Sequence, residues 1–245
     1  MPGTRTAIAT VTIPVRRSAT DADNRALLRL LQLASPSLPV GAYSYSEGLE
    51  YAVDNGAVRD EASLREWIED ALRDGSAGLE AAVLVRVFAA GQAGDLATLQ
   101  RWNAWLTAAR ESEEVRLQNL DMGRALLKLL AEINPPPRCI AELLASPCNF
   151  AVAFAVAAAH WGIPCDATTV GYLQTWAANL IGAGIKLIPL GQTAGQRLLW
   201  DLQETIEETA RNATKVADDD LGVSNWGQAL ASMRHETQYS RLFRS

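Results

Sequence analysis

Leu64, Trp67, Ile68, Ala71 and Leu72 recur at i, i+3, i+4, i+7 and i+8. Only an α-helix gathers that spacing on one face. The rhythm returns along the chain: Leu27, Leu30, Leu31 and Ala34 early, Leu96, Leu99, Trp102 and Leu106 further on, Leu199, Leu202, Ile206 and Ala210 late. No stretch sustains the period-two alternation of a half-buried strand, and no repeat of solenoid length is visible. The spacing predicts an all-α protein, a single-domain bundle of about ten helices of uneven length over residues 23–245. Residues 1–22 are expected to form a loosely ordered N-terminal segment.

Punctuation fits that reading. Asp60 and Asp95 stand where N-caps belong, and Ser146–Pro147 places a cap and a first-turn proline ahead of the alanine-rich run "FAVAFAVAAA" at 150–159. "NPPPR" at 134–138 interrupts the chain near its middle, but helical patterns flank it on both sides. It reads as a loop within one bundle. The alanine-rich run is far short of the ~20 residues that span a bilayer. The N-terminus has one early arginine, a broken apolar stretch and no convincing cleavage site, so a cytoplasmic protein is expected.

Charge and ligand inventory narrow the function. A net charge of -6 and a pI near 5.1 argue against nucleic-acid binding through a general basic surface. Three cysteines, Cys139, Cys148 and Cys165, lack C-x-x-C spacing and read as reduced thiols. Two histidines, His160 and His235, complete a sparse metal-ligand set. His160 reads as a helix-end residue.

Catalytic patterns are thin. "GQTAGQRLL" at 191–199 starts a helix after a glycine but lacks the G-K-[ST] of a P-loop, so it reads as a close-packed helix entry. "GAYSYSEG" lacks the G-x-S-x-G elbow, although Ser44 or Ser46 could serve a helical hydrolase, the alternative reading. "RHETQ" at 234–238 opens like H-E-x-x-H without its second histidine.

Two features point to contacts instead, and a lone carboxylate stands beside them. On 172–188, Leu173, Trp176, Ala177, Leu180, Ile181 and Gly184 form one stripe. Thr175, Asn179, Gly182 and Lys186 share the other side, with Lys186 its single charge. Glu80 is a lone carboxylate in an apolar run, a pattern that most often marks a structural ion pair. "SMRHETQYSRLFRS" gathers arginines with Tyr239, Leu242 and Phe243, residue types that dominate interface energetics. That stretch either anchors a partner or packs on its own bundle.

"LLQLASPSLPVGAYSYSEGLE" at 30–50, "TAARESEEVR" at 107–116, "GAGIKLIPLGQTAGQ" at 182–196 and "RHETQYSRLFRS" at 234–245 together resemble the urease accessory protein F (UreF) family. The resemblance runs in order from about residue 24 to 245; Tyr43 stands where another aromatic is common. It implies an all-helical, usually dimeric accessory protein without a catalytic site. Such a protein joins UreD (also called UreH) and the GTPase UreG in a complex that delivers nickel to apo-urease. The chain itself is then expected to bind no cofactor, with nickel and GTP handled by the complex. Residue by residue the resemblance offers Tyr43, Ser44, Tyr45 and Glu50 from the first motif and Lys186 and Gln192 from the central one. The last motif offers Arg234, His235, Tyr239, Arg241 and Phe243 in a partner-binding C-terminal tail, and Glu80 is carried over more weakly.

Overall fold

In the computed structural model, which describes residues 21–134, 142 and 146–245, the apolar stripes become a succession of packed helices. Helix α1 spans Asp21–Leu33; after a 3-10 turn at Ala42–Ser44, α2 spans Leu49–Asp54. Then come α3 (Glu61–Asp74), α4 (Ser76–Ala93), α5 (Leu96–Ala108) and α6 (Glu113–Ile133). Next are α7 (Phe150–His160), α8 (Cys165–Leu187), α9 (Gln192–Asp201), α10 (Gln203–Ala213) and α11 (Trp226–His235). No strand occurs among the described residues. The all-α, single-domain reading holds.

The alanine-rich helix α7 is apolar on all sides and therefore sits at the centre, packed chiefly on α4 and α6. Phe150 and Phe154 pack against Tyr172 of α8 with ring centroids 5.9 and 5.3 Å away. One contiguous core runs from Leu33 to Phe243, so the last helix and the segment after it belong to the same body as the first. At Gly123 of α6 a Cβ would fall 1.9 Å from the Cys148 carbonyl oxygen, so only glycine lets the chain before α7 lie this close.

Several local expectations hold. Asp60 accepts the Ser63 N–H and closes a reciprocal capping box, and Asp95 accepts the Thr98 N–H. The α3 stripe is buried at Leu64, Ile68, Ala71 and Leu72, with Trp67 half-buried. The α8 stripe is buried at all six positions. Gly195 packs against Ile185, the close helix entry expected at 191–199.

Others need correction. Ser146–Pro147 does not cap α7; the helix begins after Asn149, whose amide nitrogen donates to Thr107 and Asn103 of α5 instead of capping. Long-range hydrogen bonds within the chain thus set that boundary. In α1, Leu27 and Leu31 are 54% and 59% exposed, while Leu30 and Leu33 face the core. This outermost helix rests on α7 and α8 along a narrower line than the leucine spacing suggests. Arg29 fastens it by donating to the Trp161 carbonyl oxygen at the end of α7. The late stripe is broken at Leu202, where α9 ends and α10 begins. Helix α1 already starts at Asp21, two residues inside the segment expected to be loose; residues 1–20, Cys139 and most of "NPPPR" lie outside the described residues.

Candidate functional site: a docked tail on a buried polar cluster

The loop ahead of α2 and the segment after α11 meet. Glu50, in the first turn of α2, is 7% exposed. Its two carboxylate oxygens accept the backbone N–H groups of Leu242 (2.6 Å) and Phe243 (2.9 Å). The Arg244 N–H donates to the Ser44 carbonyl at 2.9 Å. The Ser46 N–H and hydroxyl both donate to the Ser245 carbonyl, at 2.8 and 2.5 Å, and the Ser245 hydroxyl donates to Gln118 at 2.5 Å. Phe243 is buried against the core. The tail is packed on its own bundle, the second of the two readings its sequence allowed. The cause is a carboxylate placed to receive two successive amides, with a pocket for one aromatic ring between them and α8.

The backbone geometry that positions Glu50 is specific. Glu47 has φ 51°, the one non-glycine residue with positive φ among the described residues, and Gly48 follows at φ 80°. A Cβ at Gly48 would lie 2.6 Å from the Ser232 nitrogen, so α11 presses on the loop there. Two consecutive left-handed residues turn the chain sharply enough to bring Ser46 and Glu50 to the same side.

Below the tail, His235, offered by the resemblance for partner binding, closes α11 and is fully buried. Its Nδ1 lies 2.7 Å from Glu114 and its Nε2 3.1 Å from Glu50. Arg241, itself exposed, forms an ion pair with the other oxygen of Glu114. The two carboxylates face opposite edges of the imidazole and do not converge on a point. No group of three or more metal-ligating side chains is assembled among the described residues.

Deeper still, Glu80 pairs with Arg110 at 2.5 Å, both side chains nearly inaccessible, and accepts a hydrogen bond from the Tyr172 hydroxyl. Glu80 thus forms the structural ion pair that its apolar surroundings suggested. Glu47 accepts from Gln118 (2.8 Å) and from the Trp176 indole (2.9 Å). Burial, reinforced by the neighbouring Glu80 charge, pushes its carboxyl up to about 7, against the pull of those two donors. Burial and then Glu80 also hold the Tyr172 hydroxyl well above its usual range. Burial opposes the Arg110 charge, yet Glu80 and its neighbours raise the guanidinium above its ordinary value. Tyr45, Glu47, Glu80, Gln118, Tyr172 and Trp176 help line a cavity of about 30 Å³, room for a water molecule or two. Gln118 joins the two layers: its amide donates to Glu47 and its oxygen receives Ser245.

The remaining expected residues divide by exposure. Tyr43 is 75% exposed on the 3-10 turn and Tyr239 wholly so. Ser44 is half-buried, and Tyr45 is buried with the Arg244 guanidinium 5.6 Å from its ring centroid. Lys186 is exposed, and its ammonium stands over the Phe243 ring. Arg234 and Gln192 are exposed, the latter as the first residue of α9. The structure thus brings Ser44, Tyr45, Glu50, Lys186, His235, Arg241 and Phe243 into one unit. Sequence reasoning missed Ser46, Glu47, Arg110, Glu114, Gln118 and Ser245 as its partners. Arg110 and Glu114 both lie within "TAARESEEVR", which was the available signal.

Of the two candidate serines, Ser46 is fully buried and Ser44 half-buried. The Ser46 hydroxyl is committed to the Ser245 carbonyl, and both ring nitrogens of His235 face carboxylates. His160 ends α7 beside Asn134 at 3.3 Å. What the unit offers outward is aromatic and cationic surface on a fixed backbone.

Comparison with known proteins gives a consistent family. The family model for UreF matches residues 58–203. The urease accessory protein UreF of Trichormus variabilis is 51% identical over 218 residues, covering 89% of this chain and 95% of that protein. Its counterpart in Nostoc sp. PCC 7120 is 52% identical over the same length, and that of Microcystis aeruginosa is 50% identical over 223 residues, covering 91% and 99% of the two chains.

Proposed function

Since the chain belongs to the UreF family of urease accessory proteins, we propose that it is a non-catalytic scaffold of urease maturation. It joins UreD/UreH and the GTPase UreG in a complex that inserts nickel into apo-urease. GTP hydrolysis belongs to UreG, nickel is cargo, and this chain holds neither as a resident cofactor. It acts in the cytoplasm and as a homodimer. No described helix is long and apolar enough to cross a membrane.

One observation carries this reading. The polar groups Ser46, Glu50 and His235 are consumed in fixing the tail to the loop, while Tyr43, Tyr239, Arg241 and Leu242 remain exposed on that fixed frame. Exposed aromatic and arginine side chains on a preorganised backbone bind a partner with little ordering cost.

The test replaces Tyr43, Tyr239 and Leu242 by alanine together. The variant should melt within a few degrees of wild type, fail to pull down UreD/UreH, and leave urease inactive when mixed with UreG, nickel and GTP. Normal pull-down by a folded variant would place the partner surface elsewhere. Purified chain should neither turn over GTP nor hold nickel at submicromolar affinity by calorimetry. Steady GTP turnover, or one tightly held nickel per chain, would displace the scaffold reading.

A further inference from the structure

Helix α1 buries one line of its surface and shows three leucines. Leu30 seats on Gly171 of α8, where a Cβ would fall 2.6 Å from its Cδ1, and Leu33 is fully buried. Leu27, Leu28 and Leu31 are 54%, 67% and 59% exposed. At about 100° per residue they stand about 60°, 160° and 100° round from Leu30 on one flank, with Arg29 and Leu33 on the other. Arg29 donates to Trp161 at the end of α7, so the leucine flank is turned away from α7. The same count round α8 puts Gly171 about 100° and Tyr172 about 200° past Val170. Tyr172 packs on Phe150 and Phe154 of α7. Val170 borders a groove of about 700 Å³ whose far wall is Ala210 and Arg211 of α10. Round α8 the order is therefore groove, α1, α7. The exposed leucines lie on the groove side, so knob and hollow share one face.

A single exposed leucine needs no explanation, but an apolar flank beside an apolar hollow marks a contact. Three helices abreast, each about 10 Å wide, over the about 20 Å length of α1 project roughly 600 Å². That is near the about 800 Å² per partner of a standard interface. The face also carries both signs of charge, set apart. Asp21 and Asp23 open α1, while Arg211 and Lys215 stand at the end of α10. A twofold axis brings the acidic end of one copy to the basic end of another, and the leucines of each to the groove of the other. That reciprocal match is what an isologous interface requires. Taking the chain as the homodimer proposed above, we infer that Leu27, Leu28 and Leu31 of one copy fill the α8–α10 groove of a second copy. Val170 and Lys186 stand about 24 Å apart along α8 at about 1.5 Å per residue. The dimer face is thus at the far end of α8 from the docked tail, and both surfaces can be occupied at once.

The experiment measures the mass of the full chain by sedimentation equilibrium over a range of concentrations. Wild type should approach twice the 26.4 kDa of one chain. Leu27→Glu with Leu31→Glu changes exposed side chains only, so the far-ultraviolet circular dichroism should be unaltered. The dimer dissociation constant should rise on the order of a hundredfold, as expected when two leucines leave an apolar contact. Asp21→Lys with Asp23→Lys should weaken the dimer, and adding Arg211→Glu with Lys215→Glu should restore it, a recovery that a general loss of stability would not give. A wild-type dimer whose dissociation constant the leucine variant leaves unchanged would overturn this face and leave the homodimer standing. Wild type that stays monomeric at every concentration would remove the homodimer itself. A leucine variant that dimerises normally but no longer pulls down UreD/UreH would give the face to that partner instead.

Discussion

The Lys186 ammonium lies 5.2 Å from the centroid of the Phe243 ring, joining a helix-face charge to a residue of the docked tail. Two motifs far apart in sequence thus form one surface. Whatever engages Lys186 also touches the seat of the tail.

Lys186→Ala should leave the bundle folded. A cation over an aromatic face at an exposed site is worth about 0.5–1 kcal/mol. Thermal melts should therefore shift by only a few degrees, while affinity for UreG within the assembled complex should fall. Unchanged affinity and unchanged urease activation would remove Lys186 from the partner surface.

Deleting residues 237–245 should destabilise the isolated chain, because the tail is docked on the core. The deletion removes a buried phenylalanine and leaves Glu50 and Ser46 without partners. Phe243→Ala alone should cost about 3 kcal/mol, the low end for a buried aromatic truncated to alanine. Urea titration of both variants gives the answer; a midpoint equal to wild type would mean that the docked tail adds nothing to the fold.

Glu80→Ala strands the Arg110 charge in the core. Breaking one side of a buried pair costs about 3–5 kcal/mol. Replacing the pair by Glu80→Leu with Arg110→Met should recover much of that loss, since no unpaired charge remains. Denaturation midpoints of the single and double variants should separate in that order.

Glu47 gives the fold a pH signature. Its folded carboxyl is raised to about 7 from an ordinary 4.5, so the folded state keeps a proton that the unfolded chain has lost. Stability should be full below about 4.5, decline as pH rises, and level off above about 7. The loss should amount to a few kcal/mol at most. Glu47→Gln should remove that decline. Equal slopes in both proteins, from denaturation at several pH values, would assign the decline to another group.

Legibility followed interaction range. The capped helices α3 and α5 were readable because Asp60 and Asp95 act within one turn of themselves. The stripe of α8 was readable because that long helix is covered along its whole length. Helix α1 was misread because periodicity reports which residues share a face but not how much of that face a neighbour covers. The start of α7 was misread because Asn149 answers to α5, over forty positions back. Within the site, the residue types of the tail were evident, but their burial was not. Nothing local to Phe243 or His235 reveals that Glu50 waits for both. The Glu80–Arg110 pair was half visible, as a carboxylate without a partner in its own helix.

The contact between Glu50 and the Phe243 amide spans 193 residues. Glu50 is made early and its donors among the last of the described chain. At synthesis rates of about 5–20 residues per second, the carboxylate waits roughly 10–40 s for them. During that interval the Gly48 turn has no α11 to press against it, and the Ser46 donors have no carbonyl to meet. The loop must then stay hydrated while α3 to α10 form, and its closure becomes a late, long-range step of the kind that slows folding. A nascent chain halted before residue 235 should show the α3–α8 core protected against proteolysis, with the 41–50 segment still open to cleavage.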